Sequence, residues 1–228
     1  MKCGTKRILD NFVNMYKDLD CCFHAIYNAV ELMIECYESD GKLLICGNGG
    51  SAADSEHIVA ELMKGFLLPR TIDNSMKNAL RDRFADDAEY LIGNLQNALP
   101  AISLVSHSAL MTAFCNDKAA DVVFAQQVLG YGRKGDILIA ISTSGNSQNV
   151  LYAAKLAIIK GIKVVSLSGN TGGELKALSD VSINVPSHDT FIIQEYHQKI
   201  YHVICACIEQ HFFKEDKSDC LFEERMFG

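Results

Sequence analysis

Two polar side chains four positions apart, His57 and Glu61, stand in the helical pattern His-Ile-Val-Ala-Glu-Leu. At that spacing they share one face of a helix. An imidazole and a carboxylate so placed can move a substrate proton or ligate one cation. A second polar set, Gln194, His197, Gln198 and His202, interrupts the apolar face of the long stretch Thr190 to Phe213. Gln194 and His202 are just over two helical turns apart and share a broad face, while His197 lies to the other side of Gln194. Spacing alone does not choose between the two histidines. Two His, one Glu and a Gln suit a zinc-type site, with an amide oxygen as the unusual ligand. Each residue also has a plainer explanation. His57 and Glu61 can be an incidental surface pair, and His197 a satisfied packing histidine.

Two loops supply a different chemistry. Leu43–Cys46 is an apolar run of buried-strand length, followed by Gly47-Asn48-Gly49-Gly50-Ser51 and the helix that carries His57 and Glu61. Glycines let the backbone turn and approach a ligand. A helix opening after such a turn aims free amides and its dipole at an anion, and Ser51 is the expected N-cap. Asp136–Ile141 then runs into Ser142-Thr143-Ser144-Gly145-Asn146-Ser147 and a further helix, repeating the plan with hydroxyls added to the amides. Hydroxyl and amide donors around one point suit phosphate oxygens. The first loop can also be written G-x-G-x-x-A, the dinucleotide fingerprint. The acidic residue that should close a second strand is missing, because Asp73 falls in a polar stretch, and a nicotinamide enzyme is disfavoured.

The elements that must position these groups alternate between strand and helix. Helix is expected over 8–38 and 52–65, and strand over 43–46, 101–105, 136–141, 163–168 and 181–185. A short helix at about 108–114 should lead to Asn116-Asp117 in a loop. Residues 68–99, crowded with Arg70, Asp73, Lys77, Arg81, Asp82, Arg83, Asp86, Asp87 and Glu89, read as a solvated helical insertion or lid. Alternation of this kind implies a parallel sheet covered on both faces, with ligands at the carboxyl ends of its strands.

The chain of 228 residues suits one domain, 1–228, with a loose charged tail over 214–228. It is 49% hydrophobic, yet no run is long or pure enough to span a membrane. Met1 to Asp10 is polar and lacks the apolar core of a secretory leader. Nine cysteines, odd in number and without zinc-ribbon spacing, read as reduced thiols of a cytoplasmic protein. The net charge of −7 and the lack of a basic stripe argue against nucleic acid, while local amides still allow a phosphorylated small molecule.

Five motifs in order then resemble a known family. They are Cys-Gly-Asn-Gly-Gly-Ser at 46–51, His-Ile-Val-Ala-Glu-Leu at 57–62, Asn-Asp at 116–117, Ile-Ser-Thr-Ser-Gly-Asn-Ser at 141–147 and Gln-Glu-Tyr-His at 194–197. The likeness is to the SIS (sugar isomerase) domain family, over about residues 20 to 212, and within it to the sedoheptulose 7-phosphate isomerases. It implies a three-layer α/β/α fold with a five-stranded parallel sheet, flavodoxin-like, and a homotetramer with pockets shared between subunits.

The implied reaction takes sedoheptulose 7-phosphate to glycero-manno-heptose 7-phosphate through an enediol, in nucleotide-heptose biosynthesis. The resemblance implies one zinc ion per subunit on His57, Glu61, Gln194 and His202. It prefers His202 because the family's final histidine stands eight residues after its glutamine. It implies catalysis by Glu61 and His202. Substrate contacts fall on Asn48, Gly49, Gly50, Ser51, Glu61, Asn116, Asp117, Ser142, Thr143, Ser144, Ser147 and Gln194.

The chain departs from the pattern in three places. Lys64-Gly65-Phe66 stands where an arginine is usual, Ile192 stands where another is, and segment 68–99 is longer. Isomerisation of a different sugar phosphate is one alternative. Another is a non-catalytic SIS module that binds phosphosugars or proteins; relatives resembling that module lack the carboxylate and histidine represented here by Glu61 and His202.

Overall fold

The computed structural model describes residues 1–214, so the expectation of a loose tail over 214–228 falls outside the described residues but for Lys214. Five strands, β1 (Leu43–Cys46), β2 (Ala101–Ser103), β3 (Ile137–Ile141), β4 (Lys163–Ser168) and β5 (Val181–Asn184), form one parallel sheet in the order β2-β1-β3-β4-β5. Leu44 pairs with Ile102 on one side and Leu138 on the other. This is the flavodoxin-type order, whose switch point lies between β1 and β3.

Side-chain alternation divides the core into two layers. Leu43, Ile45, Ile139 and Ile141 face α1 (Cys3–Met15), α2 (Phe23–Glu38), α3 (Gly50–Met63) and α9 (Thr190–Phe213). Leu44, Cys46, Leu138 and Ala140 face α7 (Val123–Tyr131) and α8 (Gln148–Ile159). Because both faces are covered, the strands read as apolar runs and not as alternating ones. The described cysteines are free thiols, and burial pushes that of Cys46 up to about 12. Among the described residues no helix is long and apolar enough to cross a membrane.

Three local expectations are corrected. The single helix over 8–38 is broken at Tyr16, whose φ of −121° and ψ of 72° leave the helical region, and a 3-10 turn over Lys17–Cys22 follows. The break lets Leu9 and Phe12 of α1 reach α9 while α2 lies across the sheet; one straight helix could not serve both. Helix α3 starts earlier than expected, at Gly50, and its cap position is Gly49 at φ 57°. Ser51 is therefore inside the helix and buried, not capping it. Asn116 and Asp117 form the last turn of α6 (Ser108–Asp117), not a loop.

Segment 68–99 is helical as expected, but its base is not solvated. It rises as α4 (Asn74–Arg83) and α5 (Ala85–Asn94), tied by Arg81 Nε donating to Glu89 Oε1 at 2.7 Å. Its root is Arg70, only 1% exposed. The crowd of charges around Arg70 gave no sign that it alone would be buried.

Candidate active site

The Gly-rich turn after β1 launches α3 beside α9, and this contact brings the two polar sets together. A Cβ at Gly50 would collide with the side-chain amide of Gln194, so glycine there lets that amide sit against the start of α3. One turn further on, Asp54 and His57 face the same side, and with Gln194, Gln198 and Tyr201 they line a cleft of about 410 Å³.

His57 is held from both sides. Its Nε2 lies 3.1 Å from Glu61 Oε1, and its Nδ1 lies 2.9 Å from the Tyr201 hydroxyl. Two such partners fix the ring's orientation. The Tyr201 hydroxyl also bears on the Asp54 carboxyl, whose pKa burial pushes up to about 6 while Tyr201 and His57 oppose the rise. Burial raises the Tyr201 phenol far above its usual range, with Asp54 adding to it.

His202 packs its ring edge-on against His57, with centroids 5.0 Å apart, and rests on Phe66 at 5.7 Å. Burial and the neighbouring His57 hold it below the usual imidazole range, against the pull of Glu61. His197 is elsewhere. It is fully buried, and neither ring nitrogen has a hydrogen-bond partner, although the Ser168 backbone lies near enough to offset part of the burial. Burial lowers its pKa to about 4. The ambiguity that spacing left between the two histidines is thus removed at the level of position.

Glu61 is 8% exposed, and its Oε2 has no hydrogen-bond partner. Lys64 Nζ is the nearest cation, at 3.9 Å, too long for a hydrogen bond. A buried carboxylate oxygen without a partner calls for a ligand or an ion. His57 Nε2 and Glu61 Oε1 already stand at a spacing two donors on one cation would adopt. Among the described residues, no group of three or more His, Cys, Asp or Glu side chains stands ready to hold a metal. His57 and Glu61 are nevertheless donors of the types a zinc ion takes, His202 packs on His57, and Gln194 lines the same cleft.

The second loop lies across the switch point. Ser142 Oγ and Ser147 Oγ are 3.0 Å apart, and Ser144 Oγ accepts from Asn146 N. Helix α8 starts with no side-chain bond from its cap residue; Val150 N donates to Asn149 Oδ1 at 3.0 Å, which leaves the Gln148 and Asn149 amides and the dipole to face an anion. Thr143 is half-buried, its carbonyl tied to Gly169 N at 2.9 Å. The two loops are joined by a reciprocal amide pair, Asn48 with Asn149, each bond 2.9 Å. Asn48, Gly49 and Gly50 are exposed at this end of the sheet, while Ser51 is buried beneath them.

Asn116 and Asp117 are the expected contacts that are not gathered in. Asn116 donates to Asp117 at 2.9 Å, and among the described residues no hydrogen bond or ion pair ties either to the two loops. The residues that sequence reasoning missed are Tyr201, Asp54, Asn149, Phe66, Arg70 and Glu209. Asp54 had a usable signal, since it is less than one turn from the flagged His57. The others meet the site only through tertiary contacts.

Residues 14–91 and 83–169 match the sequence profile of the family described as SIS domain. The chain is 41% identical to a phosphoheptose isomerase of Helicobacter pylori (strain P12), over 91% of its own length and 94% of the relative's. It is 39% identical to that of Citrifermentans bemidjiense, over 85% and 87%. Among solved structures it resembles the phosphoheptose isomerase GmhA from Neisseria gonorrhoeae, with a TM-score of 0.66, 34% identity and coverage of 91% and 94%. A phosphoheptose isomerase from Francisella tularensis gives 0.66, 30%, and 91% and 93%.

Proposed function

The chain belongs to the SIS domain family, and from that membership we propose that it is a phosphoheptose isomerase converting sedoheptulose 7-phosphate to glycero-manno-heptose 7-phosphate. The observation that carries the proposal is the meeting, in one chain, of His57 and Glu61 from α3 with His202 from α9 beside an anion-ready helix start. The names of the relatives support the substrate. A non-catalytic module would have no need of a buried carboxylate oxygen left without a partner.

The chain's own residues divide the work. The serines of the 142–147 loop and the α8 amides hold the phosphoryl end. Glu61 takes a proton from C1 and returns it to C2, and the enediol lies between the two transfers. His202 gives a proton to the C2 oxygen and takes one from the C1 oxygen while its ring nitrogen is free of any metal ion, because a metal-bound imidazole nitrogen carries no proton. Burial of Glu61 keeps water from competing for the proton. His57, Glu61, Gln194 and His202 would hold a zinc ion, one per subunit, which when bound supplies a fixed positive charge beside the developing oxyanion. Tyr201 orients His57 from behind.

The same proposal includes a cytoplasmic homotetramer with pockets shared between subunits, and exposed Met63, Leu67, Phe84 and Tyr90 offer apolar surface for such contacts. The test is Glu61→Gln, with turnover of sedoheptulose 7-phosphate and metal content measured on the same preparation. Loss of about 100-fold or more in kcat, the scale of a lost general base, is expected. Full turnover by a folded, metal-bearing variant would falsify the assignment of Glu61.

A further inference from the structure

Arg70 and Glu209 form a buried ion pair at the back of the site, where neither can touch substrate. Arg70 is 1% exposed and Glu209 0%. Arg70 Nε donates to Glu209 Oε1 at 2.8 Å, Nη1 to the Leu62 carbonyl at 2.6 Å and Nη2 to the Glu61 carbonyl at 2.8 Å. Those carbonyls belong to the last turn of α3, which ends at Met63 and has no further turn of its own to satisfy them; Leu62 O also accepts from Leu99 N at 3.0 Å, so it is Glu61 O that depends most on the guanidinium. The guanidinium is therefore the cap of the helix that carries Glu61. Its planar fork reaches the three acceptors from three separate nitrogens, a span that the single nitrogen of an ammonium does not have.

Glu209 completes the arrangement. Its two oxygens accept from the amides of Phe66 at 2.8 Å, Leu67 at 2.7 Å and Leu68 at 3.1 Å. This fixes the turn after α3, and with it Phe66, on which the His202 ring rests. Glu209 lies seven residues after His202 on α9, two turns along nearly the same face. The Phe213 ring covers the guanidinium at 4.7 Å.

We propose that Arg70 and Glu209 are positioning residues that set the Glu61 carboxylate against His57 and His202 by locking the end of α3 to α9. The proposal rests on the isomerase function above. Segment 68–99 begins at this lock, and the chain supplies Arg70 there although it lacks the arginine usual just after the catalytic helix. The pair is a device for registering two helices, and its effect is on the proton-transfer step and not on the grip on substrate.

The test uses the full-length protein in three forms: native, Arg70→Lys, and the double variant Arg70→Met with Glu209→Gln. The double change leaves no unpaired charge in the core, and its amide oxygen can still accept from the 66–68 backbone. Loss of the guanidinium's bond to the Glu61 carbonyl, with Leu62 left to Leu99 N, is expected to lower kcat at least 10-fold with KM within about 2-fold. Arg70→Lys keeps the charge but not all three bonds, and should fall between. Native kcat in both folded variants, with only a lower Tm, would overturn the proposal. If the double variant fails to fold, Arg70→Lys alone decides by the same criterion. If the native chain turns over no sugar phosphate, the isomerase function fails by itself. Crystal structures of the variants then judge the lock. Displacement of Glu61 Oε1 from its 3.1 Å approach to His57 Nε2 supports it, and an unmoved pair refutes it.

Discussion

Replacing Gly50 by alanine should separate the stability of this protein from its activity. The position is the first residue of α3, its φ is not positive, and the added Cβ would meet Gln194 Cδ at 2.8 Å and Oε1 at 3.0 Å. In a helix, alanine is favoured over glycine by up to about 1 kcal/mol. The colliding atoms are the far end of a flexible side chain, so relief comes by rotating Gln194, at about 0.5–1.5 kcal/mol if it leaves its rotamer well. The two effects nearly cancel. Net stability should change by less than about 1 kcal/mol, a Tm shift of about 2–4 °C at most for a chain of this size. The functional cost is one-sided, because the amide is driven out of the cleft it shares with His57. Loss of even an outer-shell partner of a metal ligand costs about 10- to 100-fold in affinity or activity, and kcat/KM should fall at least that far. The assay is thermal unfolding beside turnover and zinc content, with Gln194→Ala as the parallel variant. Gly50→Ala with native kcat/KM and a displaced Gln194 would refute the role given to that amide. Loss in Gly50→Ala but not in Gln194→Ala would point instead to a methyl group blocking the substrate.

His197 should make the fold acid-sensitive. Its folded pKa of about 4 lies below the ordinary 6.5, so between those values the unfolded chain binds a proton that the native chain refuses. Stability from this group is complete above pH 6.5 and is lost as pH falls toward 4, by about 3 kcal/mol at about 1.4 kcal/mol per unit. Denaturant midpoints from pH 4 to 7 should show the slope, and His197→Leu should flatten it; equal slopes would remove His197 as the cause. Ser147→Ala removes the hydroxyl 3.0 Å from Ser142 Oγ at the mouth of α8. One hydrogen bond of about 1 kcal/mol should raise KM for the phosphorylated sugar about 5-fold with kcat little changed. A fall in kcat alone would place Ser147 away from the phosphoryl group.

Strand positions were legible because burial on both faces makes a parallel strand an unbroken apolar run, and Leu43–Cys46 and Ile137–Ile141 lie where that rule puts them. Thr190–Phe213 was legible, since its apolar residues keep helical spacing over most of the stretch around the polar set. Two-sided packing hid the break at Tyr16, because apolar spacing on either side continues through it. The start of α3 was misjudged by one rule overriding another: a serine after glycines suggests a cap, but Gly49, at φ 57°, takes the cap position and the helix begins at Gly50. His57 with Glu61 could be read from spacing, whereas His202 against His57 needed the crossing of α3 and α9. Tyr201 was hidden for a different reason. It sits next to His202 in sequence, and neighbours on a helix point some 100° apart. Both still reach His57, because α9 passes close enough for its ring to meet the two together.

Segment 68–99 joins these observations into one account of how the site is built. A helix that ends just after its functional carboxylate leaves carbonyls exposed at the worst place, beside the reacting groups. Ending α3 at Met63 keeps Glu61 in the last turn, where it can face α9, but it also leaves Glu61 the most prone to fraying. The chain resolves this by turning back: Glu209 gathers the 66–68 amides, Arg70 returns to cap the helix, and only then does the polar hairpin depart. Arg70 O accepting from Asn97 N at 2.7 Å, with the bridge between Thr71 and Gln96, closes the hairpin on itself at that root. The hairpin can therefore be long without disturbing the carboxylate, because its two ends meet at a residue whose side chain is already committed to α3 and α9. A deletion that removes α4 and α5 but keeps Arg70 joined to Asn97 should leave the 3.1 Å approach of Glu61 to His57 intact. A deletion that takes Arg70 with it should not.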